Sequence, residues 1–278
     1  TAAPGLASLY FEPKILNKLA AGLKTTILVT GTNGKTTTSR LIGNHLDKLG
    51  IDYIHNRQGS NLERGIISSF LKKTTFFGKL HTTTALFEVD EAALPSVITK
   101  LSPTVLVITN LFRDQLDRYG EVDNIRKSWE KCIANLDENT TLILNADDPT
   151  LAYLGENVRC KVIYFGLNDT QYLNEEVPLA VDNIRCPKCK SELKYRGYFI
   201  SHQGHYSCLK CGFKRPETQV VAAKIKTLEN LSTFDLNDKN EINLDLTINT
   251  QGLYNIYNCL SSYAALKESK FNLDSFAL

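Results

Sequence analysis

The stretch TTILVTGTNGKTTT, residues 25–38, decides the fold of this chain. A β-branched and apolar run ends at Thr30, a glycine-containing loop occupies residues 31–36, and a helix-forming segment follows. Strand, loop and helix in this order are typical of phosphate-binding loops, whose backbone N–H groups point at phosphate oxygens. In such a loop Lys35 neutralises the β- and γ-phosphates and the Thr36 hydroxyl binds Mg²⁺. The stretch therefore predicts an ATP site in an α/β domain.

The loop departs from the general phosphate-loop pattern at one position. That pattern expects a glycine five residues before Gly34, where this chain has Val29. A simple Gly-Lys turn between strand and helix is the alternative interpretation, but such a turn has no structural need for the three threonines at 36–38. The residues predicted to bind ATP in this loop are Gly31, Thr32, Asn33, Gly34, Lys35, Thr36 and Thr37.

Outward from the loop, short apolar runs alternate with helix-length segments, which predicts a doubly wound, mostly parallel sheet. The predicted strands occupy residues 25–31, 51–55, 84–89, 104–110, 141–146 and 161–166. The predicted helices between them occupy residues 36–49, 61–72, 91–101 and 122–136. Later in the chain, a small antiparallel β region and a further helix are predicted at residues 220–229, 232–238, 241–248 and 253–268.

The composition excludes several classes of protein. The 278 residues carry 32 basic and 30 acidic side chains, and this net charge of +2 gives no general attraction to nucleic acid or to an anionic membrane. No run approaches the ~18 apolar residues of a transmembrane helix, and the N-terminus lacks the pattern of a secretory signal. We expect a cytoplasmic protein without a transmembrane segment. Because the chain begins at Thr1 and contains no methionine, we also expect it to be part of a longer protein.

Four of the seven cysteines form two close pairs in the segment 184–216. Each pair has the spacing C-x2-C, and 18 residues separate the pairs, a spacing typical of zinc ribbons with four thiolate ligands. Such a closed site suits a structural ion, while a redox pair, disulfides or an iron–sulfur cluster are the alternatives. We expect His202 and His205, between the pairs, to be surface residues. The predicted zinc ligands are Cys186, Cys189, Cys208 and Cys211.

The same segment is basic, and zinc ribbons often bind nucleic acid. Aromatic residues in stacking order are not evident, so we favour a solvated face that offsets the charge of the four thiolates. We therefore expect no nucleic-acid partner. The basic residues are Lys188, Lys190, Lys194, Lys210, Lys214 and Arg215.

Five segments resemble those of one enzyme family. The loop TGTNGKTTT, residues 30–38, is similar to the phosphate loop of the Mur ligases and of the related folylpolyglutamate synthases, which activate a carboxylate as an acyl phosphate and then add an amine. The other four segments are FEVDEA (87–92), ITNLFRDQLDRYGE (108–121), LNADDP (144–149) and GLYNIYNCLSSYAA (252–265).

The resemblance implies roles for further residues. Glu88 would be a catalytic magnesium ligand beside Lys35, and Asn255 and Asn258 would contact adenine. Carboxylates at the ends of parallel strands lie beside the nucleotide crevice, so Asp90 and Glu91 are also expected near the metal, unless they are solvated acids at a helix start. An active-site loop is predicted at Asp114, Gln115 and Asp117, whose alternative role is structural, as caps and ion pairs.

Two positions depart from ordinary Mur ligases. Gln115 stands where the family has a histidine that binds a second metal, and Trp129 stands at the spacing of a carbamylated lysine. The resemblance therefore does not extend to a typical second-metal and carbamate site.

Within the family, the ribbon combined with FEVDEA and FRDQLDRYGE resembles the ATP-using subunits of lipid II isoglutaminyl synthases, which act in peptidoglycan synthesis. This implies ATP-dependent amidation of the α-carboxylate of D-glutamate in lipid II, with ammonia from a partner class I glutaminase. It also implies action at the inner face of the membrane. The alternatives are an amino-acid ligase of the Mur or folylpolyglutamate type, and a P-loop ATPase whose ribbon binds nucleic acid or protein.

The predicted organisation follows from the same resemblance. Residues 1–24 form a lead-in, and residues 25–278 form an ATP-binding middle domain interrupted by the four-cysteine zinc ribbon at 184–216. The C-terminal domain of the family is expected to lie outside this chain.

Overall fold

A mostly parallel sheet forms the centre of the molecule. The structure, a computed structural model, describes residues 2–57, 60–75, 80–112, 121–176, 185–239 and 242–276. Within those ranges the strands are β1 (Thr25–Thr30), β2 (Ile54–His55), β3 (Thr84–Glu88), β4 (Val105–Ile108), β5 (Thr141–Asn145), β6 (Lys161–Leu167), β7 (Lys194–Ile200), β8 (Gln203–Ser207), β9 (Val220–Thr227), β10 (Ser232–Asp238) and β11 (Ile242–Ile248). The α-helices are α1 (Ala3–Phe11), α2 (Ile15–Ala20), α3 (Lys35–Lys48), α4 (Glu63–Leu71), α5 (Leu94–Leu101), α6 (Glu121–Ile133), α7 (Pro149–Leu154) and α8 (Leu253–Glu268).

Nine of the described strands pair in the order β11-β10-β9-β6-β5-β4-β1-β3-β2. The pairs from β2 to β9 in this order are parallel, whereas β10 is antiparallel to both of its neighbours, β9 and β11. The predicted antiparallel runs therefore extend the main sheet. A separate antiparallel hairpin, β7–β8, lies within the cysteine segment.

The two faces of the sheet are covered by different helices, as a doubly wound fold requires. Along β1, Ile27 and Val29 belong to a buried cluster that includes Tyr263 of α8, whereas Leu28 belongs to a second cluster that includes Phe70 of α4. Successive side chains of a strand point to opposite faces, so an uninterrupted apolar strand is buried on both sides. The predicted doubly wound, mostly parallel fold is confirmed.

Three helices were absent from the sequence prediction. The lead-in 1–24 contains α1 and α2, and α1 packs on α4 through the close approach of Gly5, whose N–H donates to Ser68 Oγ at 2.9 Å. The third, α7, has only six residues and begins with the signal Asp148-Pro149, in which the Asp148 side chain accepts hydrogen bonds from the N–H groups of Thr150 and Leu151. Within the described ranges, none of the helices combines the length and the apolar character needed to cross a membrane.

Candidate functional site

The phosphate loop needs glycine at two positions. Gly31 and Gly34 have positive φ angles of 132° and 85°. A Cβ atom on Gly31 would lie 2.2 Å from Thr109 Oγ1, and one on Gly34 would lie 2.2 Å from Asn258 Oδ1. Both the backbone conformation and the close packing therefore exclude a larger residue.

The segment after β4 holds the loop from one side. The side chain of Asn110 accepts from the Asn33 N–H at 2.9 Å and donates to the Asn33 carbonyl at 2.9 Å. Thr109 Oγ1 also donates to the Asn33 carbonyl, at 2.7 Å, and the Phe112 N–H donates to Thr32 Oγ1 at 3.0 Å. These contacts fix the conformation of the loop, which is the pre-organisation that a phosphate-binding site requires.

Lys35 and Thr36 each contact an acidic residue from the segment around the end of β3. The Lys35 ammonium donates to the carbonyls of Gly31 and Thr32 and lies 3.1 Å from Glu91 Oε2. Thr36 Oγ1 donates to Glu88 Oε1 at 3.0 Å. The hydroxyl and the carboxylate that were predicted to bind Mg²⁺ are therefore adjacent, and both offer the oxygen ligands that this ion prefers.

Two buried side chains position the acidic segment. Asn56 follows β2 and clamps the Glu88 backbone, accepting from its N–H at 2.9 Å and donating to its carbonyl at 2.8 Å. Trp129 is fully buried, and its indole N–H donates to the Glu91 carbonyl at 3.0 Å. Asp90 and Glu91 were each expected either near the metal or as a solvated acid at a helix start. Glu91 contacts Lys35 of the loop, whereas Asp90 caps a turn by accepting a hydrogen bond from the Ala92 N–H.

A cavity of about 470 Å³ opens beside the loop. This volume lies within the usual range for small-molecule sites. Asn258 lines the cavity and is buried, and its Oδ1 accepts from Thr38 Oγ1 at 3.3 Å. Asn255 is not among the lining residues, and its amide donates to the Gln251 carbonyl at 2.7 Å. Of the two residues predicted to contact adenine, Asn258 therefore lines the cavity and Asn255 does not.

The four predicted zinc ligands lie together. Their Sγ atoms are all within 4.8 Å of one another, and the distances are 3.6 Å for Cys186 to Cys211 and 3.5 Å for Cys189 to Cys208. Tetrahedral ligation with Zn–S bonds of about 2.3 Å places the sulfur atoms about 3.8 Å apart, so the set fits a zinc ion. Burial raises the pKa of the Cys186 thiol to about 12, so an ion that binds here must displace its proton.

The ribbon packs on the end of β5 through buried polar groups. The guanidinium of Arg215 pairs with the fully buried Asp147, which also accepts from Tyr257 Oη at 2.8 Å. Tyr206 Oη donates to the Ala146 carbonyl at 2.9 Å. The expectation that His202 is a surface residue was wrong: it is 1% exposed, because its ring packs on Phe112 and beside a buried aspartate, with Nε2 3.3 Å from Asp148 Oδ2.

His205 was also expected at the surface, and it is only partly exposed. Burial lowers the pKa of its imidazole. The predicted active-site loop residues Asp114, Gln115 and Asp117 lie outside the described residues.

Comparison with known proteins gives a consistent result. Residues 29–186 match the Mur ligase middle domain. The chain is 34% identical over 97% of its length to the lipid II isoglutaminyl synthase (glutamine-hydrolyzing) subunit MurT of Staphylococcus aureus (strain COL), and 33% identical over 94% to the MurT subunit of Streptococcus pneumoniae (strain ATCC BAA-255 / R6). It spans 58% and 56% of the lengths of these two relatives.

Among solved structures, the pseudomurein peptide ligase type C from Methanothermus fervidus is similar to this chain. The TM-score is 0.71 and the sequence identity is 26%, over 91% of this chain and 48% of that one.

Proposed function

This chain belongs to the Mur ligase family, and from that premise we propose that it is the nucleotide-binding part of an ATP-dependent carbon–nitrogen ligase. The observation that carries the proposal is the junction of the phosphate loop with the end of β3, where Thr36 Oγ1 donates to Glu88 Oε1 at 3.0 Å. This arrangement brings a lysine, a hydroxyl and two carboxylates together beside a nucleotide-sized cavity.

In the proposed reaction, the γ-phosphoryl group of ATP passes to a carboxylate of the acceptor, and the acyl phosphate is then attacked by an amine with release of phosphate. Lys35 and the loop N–H groups would stabilise the charge on the transferring group. Thr36 and Glu88 would hold Mg²⁺, whose contribution is to neutralise the phosphate oxygens. Asn56 would keep the Glu88 backbone in place, because it bonds both of its polar groups.

For the acceptor we propose the α-carboxylate of D-glutamate in lipid II, with ammonia as the amine and D-isoglutamine as the product. The support is the likeness to two MurT subunits over 94% to 97% of the chain, a span that includes the four-cysteine segment. Ammonia would come from glutamine through a separate class I glutaminase subunit. Reaction with a lipid-linked acceptor would take place in the cytoplasm at the inner face of the membrane.

The four cysteines would hold a structural zinc ion. All four ligand positions would be thiolates, and a tetrahedral site closed in this way leaves no position for a reacting water. The ribbon would therefore contribute to folding and to the shape of the site. We propose no nucleic-acid partner for the basic residues of the ribbon, of which Lys188 pairs with Glu156 at 2.9 Å.

The test uses the full-length protein with its glutaminase, ATP, Mg²⁺, glutamine and lipid II, and identifies the product by mass spectrometry. We expect the small mass decrease of a carboxylate that becomes an amide, dependent on both ATP and glutamine. The Lys35→Ala protein is the matched control and should give no product. Unchanged lipid II in the complete mixture would contradict the proposed acceptor.

An amino-acid ligase is the second candidate, and the likeness to the pseudomurein peptide ligase favours it. Such an enzyme would add a whole residue to the acceptor carboxylate. The same experiment separates the two, because the product would then gain the mass of an amino acid when free amino acids are supplied.

A further inference from the structure

The hairpin of the zinc ribbon forms part of the nucleotide cavity. Ile200, the last residue of β7, and Gln203, the first residue of β8, are paired across the hairpin, and both line the cavity beside the phosphate loop. Asn258 and Tyr254 of α8 line it as well. The ribbon thus forms part of the wall of this cavity.

Two amides in this cavity have hydrogen-bonding capacity that suits a base. Asn145 is fully buried, and its Oδ1 accepts from the Asp147 N–H at 2.9 Å, which fixes the orientation of the amide. Its Nδ2 has no partner among the described residues. Gln203 is 2% exposed and adds a second amide to the same cavity. A buried N–H donor without a partner is unfavourable, so a ligand acceptor at this position would be stabilising.

The remaining lining fits a flat ring. Phe112, Tyr254 and Tyr257 contribute aromatic surface, and Tyr254 is 61% exposed at α8. None of the described lining residues is charged. Amide side chains pair with the amino group and ring nitrogen of adenine, whereas arginine and lysine are the usual partners of guanine.

The hairpin is fixed to the main domain next to Asn145. The Gly204 N–H donates to the Asp147 carbonyl at 2.9 Å, and Tyr206 Oη donates to the Ala146 carbonyl at 2.9 Å. Tyr206 also belongs to the buried cluster that contains Cys186 and Cys208. The zinc site, the hairpin and the strand that carries Asn145 therefore form one packed unit.

We propose that Gln203 of the ribbon hairpin, together with Asn145, reads the adenine base, so that the ribbon determines the nucleotide specificity of the enzyme. This inference rests on the proposed function only in requiring that a nucleoside triphosphate binds at the phosphate loop. Both residues act as specificity residues and take no part in phosphoryl transfer.

The experiment compares the affinities of ATP, ITP and inorganic tripolyphosphate for this chain by isothermal titration calorimetry. In Gln203→Leu, we expect ATP to bind about tenfold more weakly, since one buried hydrogen bond is lost, while tripolyphosphate binds as before. The ratio of the Kd for ITP to the Kd for ATP should fall toward one in this variant. Lys210→Ala, an exposed change in the same ribbon, is the matched control and should leave all three affinities unchanged.

Zinc content and melting temperature are measured for each variant. If the leucine variant does not fold, it is replaced by Gln203→Asn, which keeps the amide but shortens its reach. An unchanged ATP to tripolyphosphate ratio in a folded Gln203 variant would overturn the inference. A wild-type chain that binds ATP no better than tripolyphosphate would also overturn it. A wild-type chain that binds neither compound would instead refute the proposed nucleotide site.

Discussion

The side-chain ammonium of Lys35 lies 3.1 Å from the carboxylate of Glu91. Both side chains are mostly buried, with exposed fractions of 13% and 17%. Glu91 in turn is held by Trp129, whose indole N–H donates to its carbonyl. We therefore expect an incoming phosphate to compete with Glu91 for the lysine, so that this ion pair lowers the affinity of the loop for phosphate.

Replacement of Glu91 by glutamine should strengthen the binding of metal-free ATP. The carboxylate both occupies Lys35 and repels the phosphate charge, so we expect about a threefold lower Kd, in line with the modest strength of partly solvated ion pairs. Calorimetry with EDTA present measures this change. Glu63→Gln, which removes the charge from a similar ion pair with Lys100, is the control. An equal decrease of the Kd in that variant would show that the effect does not come from the Lys35–Glu91 pair.

Replacement of Lys35 by alanine should abolish ATP turnover. The charge that offsets the β- and γ-phosphates is lost, and such interactions carry most of phosphoryl-transfer catalysis. The full-length protein is assayed for ATP hydrolysis and amide formation, and its melting temperature is recorded. Substantial turnover in a folded Lys35→Ala protein would remove this lysine from the site.

Replacement of Glu88 by glutamine should raise the Mg²⁺ concentration needed for half-maximal activity. The amide keeps the size of the side chain and the contact with Thr36 but loses the negative charge that a hard cation prefers. Activity is titrated against Mg²⁺ at saturating ATP. Asp90→Asn, which alters a turn cap, should show the wild-type dependence, and an unshifted Glu88→Gln titration would argue against metal binding.

Replacement of Cys208 by serine should release zinc and destabilise the ribbon. Cys208 is 2% exposed and lies within the buried cluster beneath the hairpin, so loss of one thiolate removes both a ligand and the folding free energy that depends on it. Zinc content and thermal unfolding report the change. Cys132→Ser, outside the cluster, should retain zinc, and a stable, metal-free and active Cys208→Ser protein would contradict a structural ion.

The local part of the site was predictable from the sequence. Gly31, Gly34 and Lys35 follow from the strand, loop and helix order, because the loop is a contiguous segment whose conformation only glycine permits. The side chains of Thr36 and Glu88, to which the family resemblance gave a shared magnesium ion, lie within hydrogen-bond distance of each other. The glycines and the lysine are neighbours in the chain, whereas Thr36 and Glu88 are 52 positions apart and were linked only through the family resemblance.

The remainder depended on contacts between distant segments. Asn56 had no predicted role, and Trp129 was noted only because it stands at the spacing of the family's carbamylated lysine. The packed structure places the two side chains on the backbone of Glu88 and Glu91. Asn255 and Asn258 are three residues apart on one helix and were both predicted to contact adenine, whereas in the packed structure Asn258 lines the cavity and Asn255 does not. Gln203 had no predicted role, because its position in the cavity wall arises from the docking of the hairpin.

The contact between the phosphate loop and α8 has a consequence for protein synthesis. Thr38 and Asn258, 220 positions apart, share a buried hydrogen bond, and Asn258 packs directly on Gly34. A nascent chain presents its loop to the cytosol long before α8 leaves the ribosome, and contacts of such long range form late. The growing polypeptide therefore cannot pack Asn258 against the loop until α8 has been translated, and α8 follows all eleven described strands in the chain.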